Sequence, residues 1–179
     1  MKKIIILLVI TLTFKASAQS NDYLVTMNGI GLLKIGLQKT ELEKILNKKI
    51  TLRYLSDNDS GFADTIKTKY KNIDVTLYLA KQYSNENKAT IFLNGIRTSS
   101  PLCKTSSGIK IGDDKIKIIT VYENDMLNIW PEYEDENYTR RSKTRSVIQL
   151  SYNDNSNTII FYLNNKKVVS FEVTTFEGG

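Results

Sequence analysis

The chain has 179 residues, a formal charge of +6, ten tyrosines, one cysteine and no histidine. The missing histidine excludes Ser-His-Asp and Cys-His catalysis and removes the commonest zinc ligand, and the single cysteine excludes an intramolecular disulfide. Gly29 and Gly31 do not extend to a dinucleotide fingerprint or a Walker motif, so no phosphate-binding loop is predicted.

Residues 1–18 carry the pattern of a secretory signal peptide. Lys2 and Lys3 precede an apolar run from Ile4 to Phe14, interrupted only by Thr11 and Thr13, and Ala16-Ser17-Ala18 offers small residues for cleavage. The run is shorter than the roughly 20 residues a spanning helix needs. Cleavage predicts a mature chain from Gln19 with no cysteine at the cut for lipid attachment, and no later run long enough to cross a membrane. Losing Lys2, Lys3 and Lys15 lowers the charge from +6 to +3 over the remaining 161 residues, which gives no case for nucleic-acid binding. The expected location is periplasmic or secreted. Cys103 reads as a small buried apolar residue, the alternative being a reactive or intermolecularly paired thiol.

In chain order, Asn21 to Gly29 is a lead-in, Leu32 to Ile35 is extended, and Gly36 breaks it. Thr40 is the predicted N-cap of a helix whose Leu42, Ile45 and Leu46 share one face. The polar turn Ser56 to Gly61 leads to strands at Phe62–Tyr70, Ile73–Ala80 and Ala89–Thr98, the second with strict alternation. That turn only superficially resembles a calcium loop, because its glycine is one position early and no glutamate follows at the required spacing. After Ser99-Ser100-Pro101 the pattern restarts. Ile109 and Ile111 are extended, Gly112 turns the chain, Asp113 or Asp114 can cap a helix, and Ile118, Val121 and Tyr122 repeat the earlier helical face. Glu123 to Arg145 has no counterpart, and strands at Ser146–Tyr152, Thr158–Leu163 and Lys167–Thr175 close the chain. The expected fold class is therefore α+β: two tandem repeats of extended segment, helix and three-stranded antiparallel meander. These form one sheet with the helices on one face, residues 19–100 and 101–179 being halves of one domain.

Leu33-Lys34-Ile35-Gly36, the Leu42/Ile45/Leu46 helix and three following strands resemble the repeat unit of the β-lactamase-inhibitor-protein fold. They are also similar to the single unit of the small outer-membrane-assembly lipoproteins. The resemblance implies an exported, non-catalytic module that presents a sheet face or loops to a protein partner. The disulfides of the first family and the lipidated cysteine of the second are impossible here, and no binding residues carry over.

The densest site candidate is Trp130-Pro131-Glu132-Tyr133-Glu134-Asp135-Glu136-Asn137-Tyr138, followed by Arg140, Arg141, Lys143 and Arg145. Tryptophan, tyrosine and arginine anchor protein interfaces, so Trp130, Tyr133, Glu134, Tyr138, Arg140 and Arg141 are the predicted partner-binding residues. The alternative is that Trp130 caps the core and the charges pair locally. Tyr78, Tyr152 and Tyr162 on the exposed sheet face form the second candidate. The leading expectation is a binding module without enzymatic activity, cofactor or metal, recognising a protein or cell-envelope component. Two others remain open: an envelope glycan hydrolase pairing Glu132 or Glu134 with Asp64 or Asp74, and a small-ligand carrier with a cleft between helices and sheet.

Overall fold

The computed structural model describes residues 21–53, 61–83, 89–152 and 155–175. The signal-peptide segment 1–18, residues 56–60 of the first polar turn, and Asn153-Asp154 lie outside them.

A 3-10 turn at Asn21–Tyr23 opens the described chain. It is followed by β1 (Leu24–Thr26), β2 (Gly29–Ile30), β3 (Leu33–Lys34) and helix α1 (Lys39–Leu46). Next come β4 (Gly61–Tyr70), β5 (Ile73–Tyr83), β6 (Ala89–Thr98) and β7 (Lys104–Thr105). Helix α2 (Lys115–Val121) then leads to β8 (Met126–Tyr133), β9 (Arg141–Tyr152), β10 (Asn155–Asn164) and β11 (Lys167–Thr175).

The expected α+β repeat fold is corrected. Among the described residues the protein is mainly β, with 58% strand and 13% helix, in a four-stranded sheet ordered β3-β2-β1-β7 and a seven-stranded sheet ordered β4-β5-β6-β11-β10-β9-β8. Two things overturn the expectation. The expected extended segment at Leu32–Ile35 contains β3, but the lead-in before it also forms β1 and β2, and β7 pairs with β1 in parallel to make a second sheet. Glu123 to Arg145, the segment without a counterpart in the repeat, supplies β8 and the start of β9, so four strands follow α2 rather than three.

The large sheet closes at its centre, where β6 and β11 run antiparallel with Arg97 opposite Glu172 and Ile96 opposite Val173. Alternation sorts the two faces. Leu77, Ile96, Val173, Ile159 and Leu150 lie on one row and are all buried. The small sheet meets β6 and β11 from the same side. One apolar cluster joins Val25 and Ile30 of the small sheet, Leu42 of α1, Ile118 of α2 and Phe171 of β11. Cys103 belongs to it and is fully buried. Burial pushes its thiol up to about 11, which makes the thiolate scarce at neutral pH.

Each helix is pinned by main-chain bonds to a strand of the large sheet. Gly36 N donates to Leu93 O, and Gly112 N donates to Val168 O, both at 2.8 Å. Helix α1 begins earlier than Thr40: the cap is Gln38, whose N–H donates to the Glu41 carboxylate at 3.0 Å. A reciprocal acid three residues into the helix does this job as well as a capping threonine. In α2 the cap is Asp114, which accepts from Ile116 N at 3.0 Å.

Glu43 fastens the far end of α1. Its carboxylate accepts from Lys39 Nζ at 2.8 Å and Ile50 N at 2.9 Å. The Lys39 bond first, then the Ile50 amide, hold its pKa down from 4.5 to about 2. A carboxyl more acidic folded than unfolded contributes fully above pH 4.5 and loses that contribution as pH falls towards about 2. Urea midpoints of the wild type are expected to fall through that window, and Glu43→Gln to flatten the fall. Parallel pH profiles for the two proteins would remove Glu43 from this role.

Candidate functional site

Strand β8 pairs with β9 so that Leu127 faces Leu150 and Ile129 faces Ile148, on the core side. Met126, Asn128 and Trp130 therefore take the opposite face. Because β8 is the last strand of the sheet, its side chains are only half covered. Met126 is 52% exposed, Ile129 42% and Trp130 37%. Trp130 stands opposite buried Val147 on the outer face.

Beyond Pro131 the ladder shifts register and closes with Tyr133 opposite Arg141. The tip is fixed by its own bonds. Glu134 N donates to Arg140 O at 2.8 Å, and the Arg140 guanidinium meets the Glu134 carboxylate at 2.9 Å. Asp135 accepts from Thr139 N, Thr139 Oγ1 and Arg140 N, each at 2.8 Å, and the Thr139 N–H is the first cause of its lowered pKa. These bonds hold Tyr138 at φ 56°, a left-handed conformation that costs a non-glycine residue about 1–2 kcal/mol. The Tyr138 ring meets Tyr133 edge-on at 5.3 Å and stays 73% exposed. Arg145 Nη2 donates to Tyr133 O at 3.2 Å and ties the tip back to β9.

The six predicted residues thus fall into two neighbouring groups. Tyr133, Glu134, Tyr138 and Arg140 form the tip, with Arg141 exposed at the base of β9. Trp130 instead lines a hollow of about 360 Å³ with Ile129, Pro131, Lys143, Arg145, Lys115 and Lys166. Lys115 comes from the start of α2 and Lys166 from the β10–β11 turn. Neither is near Trp130 in sequence, and no local pattern marks them. Lys115, Lys143 and Lys166 form no ion pair among the described residues.

The chain matches no protein-family model, no curated protein and no solved structure.

The second candidate, the tyrosines of the sheet face, is knitted together internally. The Arg97 guanidinium lies 3.7 Å from the centre of the Tyr162 ring and donates to Ser170 Oγ at 3.2 Å. Tyr162 OH donates to Glu172 at 3.0 Å, and burial pushes both of those groups up. Tyr152 stands apart, 41% exposed at the end of β9.

The carboxylates do not converge. Glu134 is taken by Arg140, and Glu132 lies 3.8 Å from Arg145. Asp64 is buried on β4 and accepts from Arg53 N at 2.8 Å. Asp74 is on β5. Since β8 and β4 are opposite edges of the sheet, five or six strand spacings separate these acids, about 24–29 Å along the sheet. A larger open hollow of about 1140 Å³ between the end of α1 and the β4–β5 turn is lined by Lys67, Lys69, Asp74 and Arg97 together with Leu46, Val75 and Val169.

Proposed function

We propose that this protein is an exported binding module, periplasmic or secreted and without catalysis of its own, that recognises a protein or cell-envelope component through the β8–β9 hairpin. Export is inferred from the leader pattern of residues 1–18. The observation that carries the binding reading is the hairpin tip. It is ordered by its own hydrogen bonds, yet leaves Tyr138 73% exposed beside Tyr133. A rigid exposed aromatic loses little entropy when a partner covers it.

A hydrolase reading needs two carboxylates within about 5–9.5 Å across a bond, and the acids named for it lie on opposite sides of the sheet. A carrier reading needs an enclosed apolar cavity; α1 and α2 each turn a residue into the core cluster, Leu42 and Ile118, and the hollow at the end of α1 is open and carries Lys67, Lys69, Asp74 and Arg97.

The test is recovery of bound components from envelope extract on immobilised protein. Trp130→Ala, Tyr133→Ala and Tyr138→Ala are surface truncations and are expected to keep the circular dichroism of the wild type. Each is expected to cut recovery of a defined partner by roughly tenfold or more, the usual size of a hot-spot loss. Unchanged recovery with an intact fold would take the hairpin out of the proposal.

A further inference from the structure

We infer that the edge of β8, which no described strand covers, is a docking strand for an extended, acidic segment of a partner protein, which joins the large sheet as an eighth strand; this rests on the reading of the hairpin as the binding site. The two outer edges of the sheet are built differently. Strand β4 carries exposed Lys67 and Lys69 and a register shift between Phe62 and Asp64. Lysines and bulges are devices that deter edge pairing. Strand β8 has a register shift too, but only beyond Pro131; its Met126–Trp130 stretch is five residues without a charge, in unbroken register with β9, three of them exposed and apolar. A regular, uncharged apolar edge is what an added strand requires.

The main chain shows which groups are open. Pro131 keeps register with Ser146 although it has no N–H. A sheet tolerates proline only where that N–H would point away from the neighbouring strand. The two-residue period then turns the N–H groups of Ile129 and Leu127 to the same free side.

Charge selects the occupant. Lys115, Lys143 and Lys166 surround this edge with no ion pair among the described residues, whereas Glu132 is already beside Arg145. Acidic side chains flanking apolar ones would meet all three lysines. A second copy of the chain, paired edge to edge about a two-fold axis, would offer its own uncharged Met126–Trp130 stretch and no acids to these lysines.

The probes are a fluorescent extended peptide of alternating valine and glutamate, and its counterpart with lysine for glutamate. Anisotropy is expected to show saturable, salt-sensitive binding of the acidic peptide and about tenfold weaker binding of the basic one, as three exposed charge pairs would give. Ile129→Pro removes a donor from the free side while sparing the β8–β9 ladder, and is expected to abolish binding. The surface variant Lys115→Glu/Lys143→Glu/Lys166→Glu, which leaves the backbone untouched, is expected to reverse the peptide preference. No binding by about 1 mM, equal binding of both peptides, or a preference unmoved by the charge reversal would overturn the inference. So would a concentration-dependent dimer lost in Ile129→Pro. If it fails while Tyr138→Ala still releases the partner, only the edge assignment falls; if Tyr138→Ala is also silent, the hairpin reading falls with it.

Discussion

Phe161→Ala is expected to be among the most destabilising single truncations, at about 3–5 kcal/mol, the range for emptying a core aromatic site. Phe161 is fully buried, lies 5.8 Å from Phe171 in an edge-on pair and 6.0 Å from Tyr122. Tyr122 closes α2 and donates its hydroxyl to Thr105 of β7 at 2.9 Å. Phe161 therefore supports the place where the large sheet, α2 and the small sheet meet, and those backbones are too firmly bonded to collapse into the cavity. Ile160→Ala, next in sequence but on the other face, is the control and is expected to cost less than about 1.5 kcal/mol. Urea unfolding of the two variants measures the difference. Equal losses would mean that the face assignment of β10 is wrong.

Gly31→Ala is the second large effect. Gly31 sits at φ +57°, and a Cβ there would stand 2.0 Å from Asp22 O and 2.7 Å from the Tyr70 hydroxyl. The hydroxyl is also committed, accepting from Leu32 N at 3.0 Å. The backbone has nowhere to retreat, so a loss of about 3 kcal/mol or more is expected. Gly36 also has positive φ, +87°, but nothing lies within 4 Å of its Cβ position. Gly36→Ala carries only the left-handed penalty of about 1–2 kcal/mol. Thermal unfolding should rank Gly31→Ala well below Gly36→Ala. The reverse order would show that the approach of residues 22, 31 and 70 is not as close as described.

This pair of glycines shows where sequence reasoning stops. Gly36 and Gly112 announce themselves locally, each between an extended pair and a helical face. Gly31 is tight because of Asp22 and Tyr70, and no window of sequence contains that contact. The same divide runs through the strands. β5 was legible because Ile73, Val75, Leu77 and Leu79 alternate over a long run. β1, β2 and β3 are two or three residues each, too short for any period, and the pairing of β7 with β1 joins segments about 80 residues apart. β8 was hidden by Pro131 and by the acids after it, both loop signals. At an outer edge a proline is compatible with a strand, so the segment became half of a hairpin and the expected architecture failed. Of the site, the aromatic and arginine content of residues 130–141 was visible in the sequence. Its division into a braced tip and an edge hollow, and the arrival of Lys115 and Lys166, are products of the fold.

Contact through β8–β9, and not through the other edge, is what the proposed function requires. Site-specific photocrosslinking in cells that make the protein addresses it, with benzoylphenylalanine in place of Tyr138 or, at the opposite edge, of Phe62, which is 64% exposed. A discrete adduct from position 138 and none from position 62 is the predicted result. An adduct from position 62 with none from position 138 would contradict the account.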